Sequence, residues 1–122
     1  MKKTSQRARR IGDEIQRELA DLLRNEVKDP RVGPVTITAV EVSADLSHAK
    51  VFVTHLAGRD NADSAVKALQ HTAGFLRSAL SHRLTLYSVP QLHFAYDDSI
   101  ESGMKLSQLI DDAVAADRKL SR

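Results

Sequence analysis

Two helical patterns that meet at Gly74 without a loop are the feature that most constrains this chain. Apolar residues recur every three or four positions over residues 62–86, as they do in amphipathic helices. A glycine within a helix costs about 1 kcal/mol relative to alanine, so we expect it to mark a kink or a close approach of another backbone. The pattern predicts two short, kinked helices that pack on a sheet.

A long amphipathic helix is predicted near the start of the chain. It begins near Gln6, where Thr4 and Ser5 can provide the N-terminal cap. It ends before Pro30, because proline lacks the N–H group and disfavours the helical conformation in the preceding residue. Its apolar stripe consists of Ile11, Ile15, Leu19, Leu22, Leu23 and Val27.

Three segments predict β-strands: residues 35–42, 49–56 and 91–96. A short connection joins the first two strands, so they should form an antiparallel hairpin. In the first strand the alternation of side chains changes phase near Ala39. This change indicates a β-bulge or a strand that is covered on both faces.

A last helix follows the third strand. Asp97, Asp98 and Ser99 are its candidate caps, since short polar side chains accept hydrogen bonds from the first free N–H groups of a helix. Its apolar residues are Ile100, Met104, Leu109, Ile110, Ala113 and Val114. We expect this helix, like the others, to cover one face of the sheet.

The order of elements predicts a two-layer α+β fold. With 122 residues, the chain should form a single domain over residues 1–122, with flexible tails at 1–6 and 117–122. No cysteine is present, which excludes disulfides and thiolate metal sites. No apolar run is long enough for a membrane span, and the basic N-terminus lacks the apolar segment of a signal peptide. A soluble, cytoplasmic protein is therefore expected.

Charge is distributed unevenly along the chain. Met1–Arg31 holds nine Lys or Arg and six Asp or Glu, whereas Asp97–Asp117 holds six acids and one Lys. A basic end and an acidic end favour a polyanionic partner that is met in one orientation. The alternative is a solvated tail and a solvated helix.

Arginines on the outer face of the first helix allow two interpretations. Arg10, Arg17 and Arg24 recur every seven residues. They could contact phosphates, or Arg10 could pair with Glu14 while the other two pair with Asp21. Pairing is the favoured interpretation for Arg17 and Arg24.

Basic side chains are the candidates for nucleic-acid contact. They provide affinity that does not depend on base sequence and that falls with salt. The aromatic residues fall mostly at core-facing positions, Phe75 among them, so we predict recognition of backbone and shape over base stacking. The RNA-contact candidates are Arg7, Arg9, Arg10, Lys28, Arg31, Lys67, Arg77 and Arg83.

A metal site and catalysis are less favoured. Asp97, Asp98 and Glu101 could hold a divalent cation, as carboxylates after a strand do in phosphoryl-transfer sites. Helix capping is the favoured interpretation, because no phosphate loop or further ligand motif accompanies them. The five histidines share no ligand spacing, and no nucleophile motif is present. We predict no enzyme activity, metal or cofactor.

Four segments resemble the ribosome-binding factor A family of bacterial small-subunit assembly factors over nearly the whole chain. They are EVKDPR, VTITAVEVSADLSHAKVFVT, AGFLRSAL and VPQLHFAYDDSIESG. The resemblance implies a KH-like domain of the type II arrangement. Ordinary KH domains clamp the nucleic-acid backbone with a GXXG loop, which this sequence lacks. The family has an Ala-x-Gly kink instead, and the corresponding residues here are Thr72, Ala73 and Gly74.

The resemblance also implies a function. It is that of a monomeric, non-catalytic factor that binds the 30S subunit and its 16S rRNA during late maturation and rRNA processing, with a role in cold adaptation. An assembly GTPase would release it. A nucleoid-type DNA-binding protein with the same basic surface is one alternative, and a metal-dependent phosphohydrolase built on Asp97, Asp98 and Glu101 is the other.

Overall fold

Helices and strands follow one another in the order helix, strand, strand, helix, helix, strand, helix. A computed structural model describes residues 5–27, 29–84 and 88–120. The elements are α1 (Gln6–Asn25), β1 (Val35–Val42), β2 (His48–His55), α2 (Arg59–His71), α3 (Ala73–Ser81), β3 (Gln91–Tyr96) and α4 (Ser99–Leu120). Within the described residues, no helix is both long and apolar enough to span a membrane.

The three strands form one sheet with β2 in the centre. β1 pairs with β2 in the antiparallel sense, as predicted for the hairpin, and β3 pairs with β2 in the parallel sense. The register shifts between Ile37 and Ala39, which leaves Thr38 without an opposite residue on β2 and confirms the β-bulge. Because of the extra residue, the four branched apolar side chains of β1 all contact one core: Val35, Ile37, Val40 and Val42.

Helix α1 is capped and buried as its sequence predicts. The Ser5 hydroxyl oxygen accepts a hydrogen bond of 3.0 Å from the Ala8 N–H group. The apolar stripe packs on the sheet, with Ile15, Leu19 and Leu22 among the largest fully buried side chains. Gly12 lies in the same stripe, and a Cβ atom there would be only 2.8 Å from the Val40 carbonyl oxygen. Helix α1 therefore rests directly on the β1 backbone.

The break between α2 and α3 lies at Thr72, the first of the three predicted kink residues and two residues before Gly74, where the two helical patterns meet. Thr72 has φ −93° and ψ 2°, and its hydroxyl donates a hydrogen bond of 2.6 Å to the Ala68 carbonyl oxygen. Gly74 lies in the first turn of α3, and a Cβ atom there would meet no atom within 4 Å. Of the two expected explanations for Gly74, a kink or a close approach of another backbone, the close approach is absent among the described residues. The predicted end near residue 86 lies outside them, and α3 itself ends at Ser81.

Asp97 links the end of β3 to the start of α4. Its N–H group donates to the Val53 carbonyl oxygen at 2.8 Å, and its carboxylate accepts from the Ser99 N–H group at 2.9 Å. The second carboxylate oxygen accepts a hydrogen bond from the Thr38 hydroxyl, which lies in the bulge of β1. These donors, Thr38 first, lower the pKa of Asp97. The capping interpretation of Asp97 is confirmed.

Helix α4 does not cover the sheet, so that prediction is wrong. Its described large apolar side chains are all exposed, from 45% for Val114 to 68% for Met104. The core of the described residues is instead built from α1, α2, α3 and one face of the sheet. Residues 1–4 and 121–122 of the predicted flexible tails lie outside the described part of the chain, and that prediction stays untested.

Candidate nucleic-acid interface

Three arginines lie together at the N-terminal end of α1. Arg7, Arg9 and Arg10 are exposed, and no hydrogen bond or ion pair occupies their guanidinium groups within the described residues. The N-terminus of a helix carries a partial positive charge, which adds to the charge of these side chains. This end of α1 is therefore the strongest candidate for phosphate contact.

A second basic group lies beside α2. Lys67 and His71 line an open concavity of about 390 Å³ together with Arg31, Ser64 and Ala68. Arg31 is held there by Asp29, through hydrogen bonds of 3.0 Å from Nε and 2.7 Å from Nη2. These bonds lower the pKa of Asp29 to about 2, so its carboxylate offsets the charge of Arg31 at neutral pH. Lys28, another candidate, lies outside the described residues.

Two further candidates stabilise the fold. Arg77 donates from Nε to the Val89 carbonyl oxygen at 2.9 Å, which ties α3 to the segment that leads into β3. Arg83 contacts three carboxylates at 2.6–3.3 Å, and we call this set the Arg83 cluster: Arg83, Glu18, Asp21 and Glu26. The cluster joins the end of α3 to α1. The role of Arg83 in RNA contact is untested, but its guanidinium is already engaged.

The pairs predicted within α1 are formed only in part. Arg24 Nη2 lies 3.7 Å from Asp21 Oδ1, as predicted for that pair. Neither Arg10 with Glu14 nor Arg17 with Asp21 forms an ion pair in the described structure. Asp21 instead accepts its shortest bond from Arg83, which is 62 residues away along the chain and could not be identified from helical spacing.

Replacing Arg83 by methionine should lower the thermal unfolding midpoint by several degrees at pH 7, because three carboxylates lose their shared cation. The hydrogen bond from Arg83 is the largest cause of the lowered pKa of Asp21. The stabilisation is thus fully present above the ordinary carboxyl pKa of 3.8 and is lost as the pH falls through the lower folded value. Melting curves at pH 7 and pH 3 would measure this difference.

Arg24→Met provides the matched control, since Arg24 contacts the same Asp21 carboxylate but is 74% exposed. It should change the midpoint by much less, because an exposed ion pair contributes little to stability. Equal effects of the two variants at pH 7 would contradict a special role for the Arg83 cluster.

Phe75, like the apolar residues of α4, was misplaced by the sequence pattern. The helical pattern puts it in the core stripe, but its side chain is 53% exposed, whereas Leu76 and Leu80 are buried. The helical period held only part of the signal, because it does not specify which residues form the core face. Leu76 and Leu80 are four residues apart and occupy the core face of this short helix, so the preceding residue lies about 100° away around the axis.

Of the carboxylates considered for a metal, Asp97 and Asp98 belong to no metal site among the described residues. Both oxygens of Asp97 accept hydrogen bonds from protein donors. No group of three or more His, Cys, Asp or Glu side chains among the described residues is placed to hold a metal ion. The side chain of Glu101 lies outside what the structure describes.

Comparison with known proteins identifies the family. The family model for ribosome-binding factor A matches residues 7–110. The chain belongs to the ribosome-binding factor A family. It is 58% identical over 118 residues to ribosome-binding factor A of Nitrosospira multiformis, with 97% of this chain and 94% of that protein covered. It is 57% identical over 122 residues to that of Pseudomonas fluorescens strain Pf0-1, with 98% and 91% covered.

Solved structures support the fold. The crystal structure of ribosome-binding factor A from Thermus thermophilus has a TM-score of 0.66 at 27% identity and covers 73% of this chain and 93% of its own. A homology model of the Thermus thermophilus factor, fitted into a cryo-EM map of a 30S complex, has a TM-score of 0.60 at 28% identity, with 71% and 91% covered. The predicted α+β, KH-like fold is confirmed.

Proposed function

We propose that this chain binds the 30S ribosomal subunit and its 16S rRNA as a non-catalytic assembly factor in the cytoplasm. The observation that carries the proposal is the family match over residues 7–110, together with the Thermus thermophilus relative that was fitted into a 30S complex. Late subunit maturation, 16S rRNA processing and cold adaptation are the finer parts of this proposal.

Exposed cations support contact with rRNA. Arg7, Arg9 and Arg10 form one group at the start of α1, and Lys67 belongs to a second group beside α2. Each phosphate contact releases condensed counterions, which provides affinity without reading base sequence. The chain would act by occupying its site. A monomer would hold rRNA near the decoding region in a conformation that is not final, until an assembly GTPase releases it.

A direct competition tests the proposal. The full chain is mixed with immature small subunits at physiological salt, and duplex DNA is added as competitor up to about a tenfold excess of phosphate over that of the subunits. Because the proposed site is specific to the subunit, the affinity for subunits should exceed the affinity that charge alone provides. We therefore expect most of the chain to sediment with the subunits. Mature subunits provide the control, and they should retain less of the chain. Transfer of the chain to DNA would favour the nucleoid-type alternative and reject the proposal.

A further inference from the structure

An exposed aromatic ring stands beside bare backbone at the start of α3. Phe75 is 53% exposed, and its neighbour Gly74 has open space around the position of a Cβ atom. The fold uses neither feature, because Leu76 and Leu80 supply the buried face of α3 and Thr72 makes the break. A strand of nucleic acid could approach the backbone closely here, since glycine itself carries no side chain.

The ring forms one wall of a concavity of about 360 Å³. Ligand pockets have volumes of roughly 300–1,000 Å³. Phe75 and Ala79 provide its apolar surface, and Ser78 and His82 provide hydrogen-bonding groups at its edge. The ion pair between Arg83 and Glu26 completes the lining at 3.2 Å. A flat, partly polar group fits this combination of an aromatic face and polar edges.

The charge around the concavity disfavours a phosphate. The Arg83 cluster places three carboxylates around one guanidinium, and carboxylates still outnumber cations when Arg24 is counted. Beyond Thr72, on the α2 side, Lys67 and His71 line the basic concavity described above. A ligand polymer that alternates phosphates and neutral groups would therefore place its phosphates beside α2 and a neutral group beside α3.

We propose that Phe75 and the concavity beside it bind an unpaired base of RNA. The ring stacks on the base, Ser78 and His82 contact its edge, and the backbone of the RNA passes over Gly74 toward Lys67. This inference rests on the proposed function, because that function is the reason to expect RNA as the ligand. It extends that function, because the basic side chains alone would recognise only the phosphate backbone.

The test uses the full chain and two RNA probes of equal charge. One is an oligoadenylate of about 12 nucleotides, a length within the range that single-strand sites cover, and the other is the same oligomer with its central positions abasic. Fluorescence anisotropy measures the affinity of the wild-type chain and of Phe75→Leu and Phe75→Tyr. Leucine keeps apolar volume without a ring, whereas tyrosine keeps the ring. Thermal melting checks that both variants are folded, as the exposure of Phe75 leads us to expect.

The wild-type chain should bind the oligoadenylate more tightly than the abasic oligomer. Phe75→Leu should weaken oligoadenylate binding about 5- to 150-fold, the range that the loss of one aromatic stack produces, and leave abasic binding unchanged. Phe75→Tyr should retain most of the wild-type affinity. Equal affinity of the wild-type chain for both probes, or equal weakening of both by Phe75→Leu, would overturn the inference.

Small-subunit binding separates this inference from the proposed function. If Phe75→Leu weakens subunit binding but leaves the preference for oligoadenylate intact, the concavity holds a side chain of a ribosomal protein, and the base site is rejected. If the wild-type chain fails to bind subunits but shows the ring-dependent preference, the proposed function fails while the base site stands.

Discussion

Reversing the charge of Arg7, Arg9 and Arg10 to glutamate should weaken binding to immature small subunits roughly 100- to 500-fold at about 0.1 M salt. Each lost phosphate contact reduces the steepness of log affinity against log salt by about 0.7–0.9. At about 0.1 M salt it also lowers log affinity by about the same amount. The three side chains are exposed, and within the described residues none has a partner that would compete with phosphate. Sedimentation with subunits at several salt concentrations measures both quantities.

A variant with the same change in net charge provides the control. Arg17, Arg24 and Lys105 are also exposed, but they lie later on α1 and on α4. Their replacement by glutamate should lower the affinity by less than about tenfold, because only long-range repulsion then acts. Unchanged affinity of the Arg7, Arg9 and Arg10 variant would remove this end of α1 from the interface.

Alanine at Gly12 and alanine at Gly74 should change stability in opposite directions. At Gly12 the new Cβ atom would be 2.8 Å from the Val40 carbonyl oxygen, and a backbone atom cannot rotate away. Such overpacking costs about 1–3 kcal/mol, and because α1 must shift as a unit we expect the upper end of that range. After the gain of about 1 kcal/mol in helix propensity, a net loss of about 2 kcal/mol is expected.

Gly74→Ala should raise stability by up to about 1 kcal/mol. Gly74 is helical and has open space around it. Alanine therefore adds its higher helix propensity without a steric clash. Thermal melting by circular dichroism should show shifts of roughly 4 °C for each kcal/mol, the value at which the ranges for smaller and larger domains meet. Destabilisation by Gly74→Ala, or wild-type stability of Gly12→Ala, would contradict the packing described here.

Most of the elements could be predicted from the sequence. The strands β1 and β3 begin and end as predicted, and β2 is displaced by one residue. The change of phase near Ala39 even located the bulge. These predictions succeed because a period of two or of 3.6 residues, together with caps such as Ser5, depends on neighbours along the chain.

The candidate site was predictable only in its charge. The sequence identifies Arg7, Arg9 and Arg10 as cations with few acids nearby, and the structure leaves them exposed. It could not show that Arg83 contacts Asp21, since those residues meet only when α3 packs against α1. For the same reason the helical pattern alone could not show that the ring of Phe75 is exposed.

By itself, then, the sequence determined the order of the elements, their periods and the basic end of α1, because these depend on local spacing and composition. Tertiary structure alone decided which apolar residues are buried. It left α4 exposed, moved the break of the helix pair to Thr72, and brought the Arg83 cluster together. The physical reason is that burial and ion pairing depend on which surfaces meet in space, and a helical stripe does not specify its partner.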